Sequence, residues 1–168
     1  MVKPPKQPAT PKPSSRSSSK GVAKATTGLW LVKSEPDDYS IDQLEREGTT
    51  VWDGVRNAVA QKNMKAMRKG DQVLFYHSSC KSVGVVGIAA VAREQYLDPS
   101  NEEGGRKWVL VDLSFVSKFE RLVSLPWLKA QTELQGMVLL RQPRLSVQPV
   151  ERAAWDHIVA AGSGGSND

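Results

Sequence analysis

Three short runs gather the residue types that recognition or catalysis would need: Trp30-Leu-Val-Lys-Ser-Glu-Pro36, Trp52-Asp-Gly-Val-Arg-Asn57 and Phe75-Tyr-His-Ser-Ser-Cys80. Each ends an apolar stretch in a cluster of aromatic, hydroxyl, amide and charged groups. Strand ends that converge on one mouth would place such clusters around a single pocket. A pocket walled by aromatic rings with a few polar groups suits a flat heteroaromatic ligand such as a nucleobase. A base stacked on an aromatic face gains roughly 1–3 kcal/mol, which holds an extruded base only where unstacking it costs little. For each of Trp30, Trp52, Tyr76 and Trp108 the plain alternative is core packing. Trp52 and Tyr76 gain weight as binding residues because Asp53 and Arg56 follow the one, and His77 and Ser78 the other. Ser34, Glu35, Asp53, Arg56 and Asn57 serve equally well as turn and capping residues. In a pocket, Ser34 and Asn57 are natural partners for a base edge, because they combine donors and acceptors.

Chemistry on the ligand is the weaker reading. No Gly-rich phosphate cradle, His-x-x-x-His pair or paired Cys motif accompanies the clusters. Cys80 follows His77 by three residues, but on a strand turning into a loop that spacing does not require thiol and imidazole to meet. A Cys/His-dependent RNA-processing or hydrolytic enzyme is therefore only a minor rival to a non-enzymatic binder. Two histidines without spaced carboxylates point to no metal site, a single cysteine excludes an intramolecular disulfide, and no cofactor is expected.

The net charge of +5 suggests a polyanion partner until it is apportioned. Six of the 23 Lys and Arg residues fall in residues 1–28 with no acid among them, leaving 17 against 18 Asp and Glu in the remainder, a net of −1. The basic character therefore belongs to the tail, and a phosphate-binding face on the domain must be local, from residues such as Arg56, Lys62, Lys65, Arg68, Lys69 and Lys81. Residues 1–28, rich in Pro, Ser, Lys and Thr and without aromatics, are expected to be disordered. Such a tail reads as a plain extension, a transit peptide or a nuclear address. The nucleus is expected for a eukaryotic source, the cytoplasm otherwise. No stretch approaches a membrane span, and no membrane partner is expected. A single domain over residues 29–161, acting as a monomer, is followed by a flexible coda over 162–168.

The elements that must position the clusters are mostly strands. Residues 29–34 form a strand broken by Pro36. Ser40 opens a capping box for a short helix that Gly48 ends, and Asn57 caps a helix over 58–68. Strands are predicted over 72–78, 83–91 and 108–116, the second bent or closely approached at Gly84 and Gly87. A short helix over 124–132, edge strands at 139–140 and 145–147, and a terminal helix over 149–161 complete an α+β domain on a small, partly closed barrel.

Taken in order, the clusters resemble the EVE domain family: W-L-x-K-S-E-P at residues 30–36, W-D-G-V-R-N at 52–57 and F-Y-H-S-N-C-K at 75–81, with further likeness at 86–88, 108–112 and 144–149. The resemblance covers residues 29–161. It implies a PUA-like mixed β-barrel with short flanking helices, shared with YTH readers of methylated adenine in RNA. It also implies non-enzymatic binding of nucleic acid carrying a modified base: foremost DNA with 5-methylcytosine or its oxidised forms, alternatively a modified base in RNA. On that basis Trp52 and Tyr76 would stack on the base, and Ser34, Asn57, Ser78 and Gln148 would meet its edge. Trp30, Glu35 and His77 would complete the pocket, while Lys33, Arg56 and Lys81 would contact phosphate or base. The chain departs from the family pattern at Ala58 and Val59, where R-N-Y-Q is usual, and at Ser79, where Asn is usual.

Overall fold

The computed structural model describes residues 27–100 and 107–164. In chain order they form β1 (Leu29–Ser34), α1 (Ile41–Glu47), β2 (Thr49–Trp52), α2 (Ala58–Ala66), β3 (Gln72–His77), β4 (Gly84–Leu97) and β5 (Val109–Ser124). Then come α3 (Leu125–Ala130), a 3-10 turn (Thr132–Leu134), α4 (Val138–Arg141), β6 (Val147–Pro149) and α5 (Arg152–Gly162). The class is α+β, as expected. The strands make one sheet in the order β2-β5-β4-β3-β1-β6, with β1 parallel to β3 and the remaining pairs antiparallel.

The expected barrel is reached only as far as a curled sheet, because no ladder among the described residues joins β2 to β6. Strands of 14 and 16 residues, β4 and β5, shift register at four points, and such irregularities bend and twist a sheet. One apolar cluster accordingly draws on all six strands, with Val32, Trp52, Phe75, Val91, Leu113 and Val147 among its members. Helix α2 lies across the open side. Its Met64 and Ala60 enter that cluster, Gln61 exchanges two bonds with the backbone of Val109 (3.1 and 2.8 Å), and Asn63 donates to the Val147 carbonyl of β6 (2.7 Å). A helix thus ties β5 to β6 where strand pairing does not.

The other face of the sheet carries a second cluster, in which Leu31, Leu74 and Tyr76 pack with Leu128, Leu139, Trp155 and Ile158 of α3, α4 and α5. Side chains alternate faces along a strand, so β3 sends Val73 and Phe75 inward and Leu74 and Tyr76 outward. Close approach at the glycines of β4 is as predicted: a Cβ on Gly87 would stand 2.5 Å from the Ser117 carbonyl oxygen, and one on Gly84 2.3 Å from that of Val123.

Ser40 caps α1 by accepting from the Gln43 amide (3.1 Å), and Asn57 caps α2 by accepting from Ala60 (2.9 Å), both as the sequence predicts. Residues 139–140 are a correction, lying in α4 rather than in an edge strand. The helical bonds from Arg141 to Met137 (3.1 Å) and from Gln142 to Val138 (2.7 Å) close that turn, and Leu139 is buried against the outer cluster. Strands β4 and β5 run on to residues 97 and 124, beyond the predicted ends at 91 and 116, because they continue to pair with each other where the apolar alternation fades. The expected tail lies outside the described residues except for its last two positions, as does the coda beyond residue 164. No described helix is long and apolar enough to cross a membrane.

Candidate functional site

A cleft of about 670 Å³ opens where the C-terminal end of β1 meets the β2–α2 connection, the turn after β3 and the loop before β6. Trp52 lines it from the end of β2, an edge strand. The Trp52 residue is only 8% exposed. Its indole stands edge-on to Phe75 (5.5 Å between ring centroids, 80° between planes) and to Tyr39 (6.3 Å, 89°). Two neighbours therefore fix the indole at the boundary between core and cleft. Gly54, at φ 73°, supplies the left-handed turn after Trp52-Asp53 that leads the chain to Asn57. Ser79, on the facing wall, is the sole non-glycine residue at positive φ (52°) among the described residues.

Polar groups around the ring are partly committed. The Ser34 hydroxyl donates to the Tyr39 carbonyl (2.6 Å), which holds the 34–39 turn and leaves the hydroxyl oxygen free to accept. Asn57 spends its amide oxygen on the α2 cap and keeps two N–H donors. The Ser78 amide donates to the Ser34 carbonyl (3.0 Å), joining two walls. Lys33, Arg56 and Arg144 line the cleft together with Glu35, Asp38 and Asp53, so the lining carries no net charge. Lys33 donates to the Pro143 carbonyl, lies 5.5 Å from the Tyr76 ring centroid, and has its pKa lowered by burial. Arg56 is held by Asp98 (3.3 Å) and lies over the Trp108 ring (5.0 Å). Hydrogen bonds from Ser100, and then the Arg56 guanidinium, keep the Asp98 carboxyl below its usual range.

Of the residues singled out from sequence, Lys33, Ser34, Glu35, Trp52, Arg56, Asn57 and Ser78 come together in the cleft. The others do not line it. Tyr76 is 3% exposed in the outer cluster, one residue out of phase with Phe75, and burial pushes its phenol up to about 12. Trp30 donates through its indole N–H to Asp71 (2.9 Å), which also accepts from the amides of Gly28 and Arg68. His77 accepts from the Ile41 amide through Nε2 (3.1 Å), and burial lowers its pKa, opposed by Asp42. Gln148 is fully buried and donates to the Leu145 carbonyl (2.8 Å), so it braces the loop behind the cleft. Lys81 is exposed in the turn after β3.

The cleft also contains residues that the sequence reading missed as ligands, Asp38, Tyr39, Arg144 and Ser146, together with Asp53, which the sequence offers both as a turn residue and as a polar neighbour of Trp52. Tyr39 carried a signal, being an aromatic residue directly before the helix cap Ser40, where an apolar group commonly fixes the chain's entry into the helix. Neither His77 nor Cys80 lines the cleft. Among the described residues no group of three or more His, Cys, Asp and Glu is placed to hold a metal ion.

Known proteins share both sequence and fold with this chain. The family model described as the EVE domain matches residues 28–161. Thymocyte nuclear protein 1 of Homo sapiens is 33% identical over 179 residues, spanning 88% of this chain and 80% of the relative. A hypothetical protein from Leishmania major superposes with a TM-score of 0.77 at 42% identity, over 82% of this chain and 95% of that one. The human THYN1 protein, solved in complex with DNA containing 5-methylcytosine, superposes with a TM-score of 0.76 at 32% identity, over 83% of this chain and all of its own.

Proposed function

The chain belongs to the EVE domain family, and on that premise we propose that it binds nucleic acid by taking an extruded modified base, foremost 5-methylcytosine or an oxidised form of it, into the cleft at Trp52. The observation that carries this reading is the cleft's composition. An indole and a phenol at right angles, Trp52 and Tyr39, stand beside the carboxylates of Asp38 and Asp53 and the amide of Asn57. Carboxylates accept from the exocyclic amine of cytosine, the free N–H donors of Asn57 suit its ring nitrogen and carbonyl, and aromatic faces accept any base plane. A similar solved protein carries DNA with 5-methylcytosine, which favours cytosine over adenine as the ligand.

In this reading Trp52 and Tyr39 flank the base, while Ser34, Asn57, Ser78 and one of the nearby carboxylates meet its edge. Lys33, Arg56 and Arg144 at the cleft face the sugar–phosphate. Because cations and carboxylates balance in the lining, selectivity rests on stacking and edge bonding, and salt acts mainly on contacts outside the cleft. The role is recognition without chemistry. His77 is occupied by the Ile41 amide, and neither it nor Cys80 reaches the cleft wall. The reading needs only one copy of the chain, a monomer. In a eukaryotic cell the nucleus is the expected compartment, in keeping with the nuclear relatives.

The test is a titration against matched DNA and RNA oligonucleotides that carry methylated or oxidised cytosine, methylated adenine, or no modification. Tighter binding to one modified cytosine is expected. Equal affinity across the series would overturn the reading.

A further inference from the structure

A second cavity, of about 380 Å³, adjoins the first and shares three of its lining residues, Asn57, Pro143 and Arg144. Its remaining walls are Val59, Gln142 and Leu145. The lining repeats the chemistry of a base site at smaller scale: apolar walls from Val59, Pro143 and Leu145, N–H donors from Asn57, an amide from Gln142 that combines donor and acceptor, and one guanidinium at the partition. Val59 is half exposed at the first turn of α2, an apolar side chain left in solvent where the helix begins. Among the described residues none covers its exposed half.

We propose that this cavity receives the base of the nucleotide adjacent to the one held at Trp52, so that the domain reads a two-nucleotide step rather than a lone modified base. The proposal rests on the base-pocket reading and deepens it. Continuity between the cavities carries the argument, since neighbouring bases on one strand are joined by a single phosphodiester and Arg144 lines both cavities, where it meets the linking phosphate. Asn57 is positioned to serve both bases. The cap on Ala60 fixes its side chain through the amide oxygen, its N–H groups remain as donors, and the residue lines both cavities. Two adjacent bases out of the stack cost more in a duplex than in a single strand, so single-stranded or locally opened sites are the preferred ligand.

The experiment uses the full chain and single-stranded oligonucleotides with 5-methylcytosine or cytosine at the centre, each with an abasic site placed in turn 5′ or 3′ of it. Removing the base on one side is expected to weaken binding roughly five- to ten-fold, and removal on the other side to have little effect. A Val59→Glu variant should lose that sensitivity while keeping its preference for the methylated centre. Val59 is exposed, so the variant is expected to fold, and a thermal melt checks that it does. If the methyl preference persists and neither abasic flank changes affinity, the second-base site is overturned and the first pocket stands. If the methyl preference itself is absent, the base-pocket reading falls and takes this proposal with it.

Discussion

Tyr39 stands at right angles to Trp52, 6.3 Å away, with its hydroxyl donating to Glu47 (2.7 Å). The pair unites the entry to α1 with the end of β2, and it forms the aromatic corner of the cleft. Trp52 also packs in the inner core, so truncating it would cost about 3–5 kcal/mol of stability and confuse folding with binding. Tyr39 separates the two. Tyr39→Ala should weaken binding of a methylated oligonucleotide roughly ten-fold with a much smaller loss of stability, and Tyr39→Phe should retain most of the affinity. Fluorescence anisotropy beside a denaturant melt reads both quantities.

Tyr76 makes the opposite prediction. Its phenol lies on the far face of the sheet from Trp52, so Tyr76→Phe should leave oligonucleotide affinity within about two-fold, while Tyr76→Ala should cost about 3–5 kcal/mol. A large affinity loss in the well-folded Phe variant would put the phenol back at the ligand.

The imidazole of His77 gives a pH dependence. Nε2 accepts from the Ile41 amide, and only a neutral ring has an acceptor there. Burial holds the folded pKa below the ordinary 6.5, so the unfolded chain takes up this proton first as pH falls. The stabilisation is complete above 6.5 and is lost as pH drops through the folded value. Thermal melts at pH 7 and pH 5 should show a larger fall for the wild type than for His77→Gln, whose side-chain oxygen accepts at either pH.

Ser79 holds a φ of 52° on the wall of the cleft, a conformation that costs an ordinary side chain energy and that Asn and Gly tolerate better. Ser79→Asn should raise stability by about 0.5–1 kcal/mol, read as a shift in the denaturation midpoint at constant slope. No gain in either Ser79→Asn or Ser79→Gly would show that the turn is not strained.

Much of the local architecture was legible in the sequence because it depends on neighbours in the chain. The caps at Ser40 and Asn57, the break after β1 and the close approach at Gly84 and Gly87 all follow from residue type and spacing. What was lost depends on which face a strand residue takes in three dimensions. Phe75 and Tyr76 are equally aromatic and adjacent, yet the alternation of β3 sends Phe75 beneath Trp52 and Tyr76 to the helices. Arg144 reaches the cleft from a segment distant in the chain, which no local pattern announces, and the signal at Tyr39 marks a helix entry rather than a ligand contact. Residues 139–140 turn out helical rather than extended because so short a run does not distinguish a helical turn from a strand by period alone. That the sheet stays open was beyond the sequence for a related reason: a helix, α2, bridges β5 and β6 across the gap through Gln61 and Asn63.

The central claim is that the cleft at Trp52 and Tyr39 selects a modified base, independently of the basic tail. Its most direct test is the ratio of affinities for otherwise identical 5-methylcytosine and cytosine oligonucleotides, measured at low and at moderate salt for the full chain and for a chain lacking residues 1–26. The account predicts that both chains prefer the methylated strand by the same factor, and that salt or tail removal lowers overall affinity while leaving that factor unchanged. A ratio of one in both chains, or a preference that disappears with the tail, would contradict it.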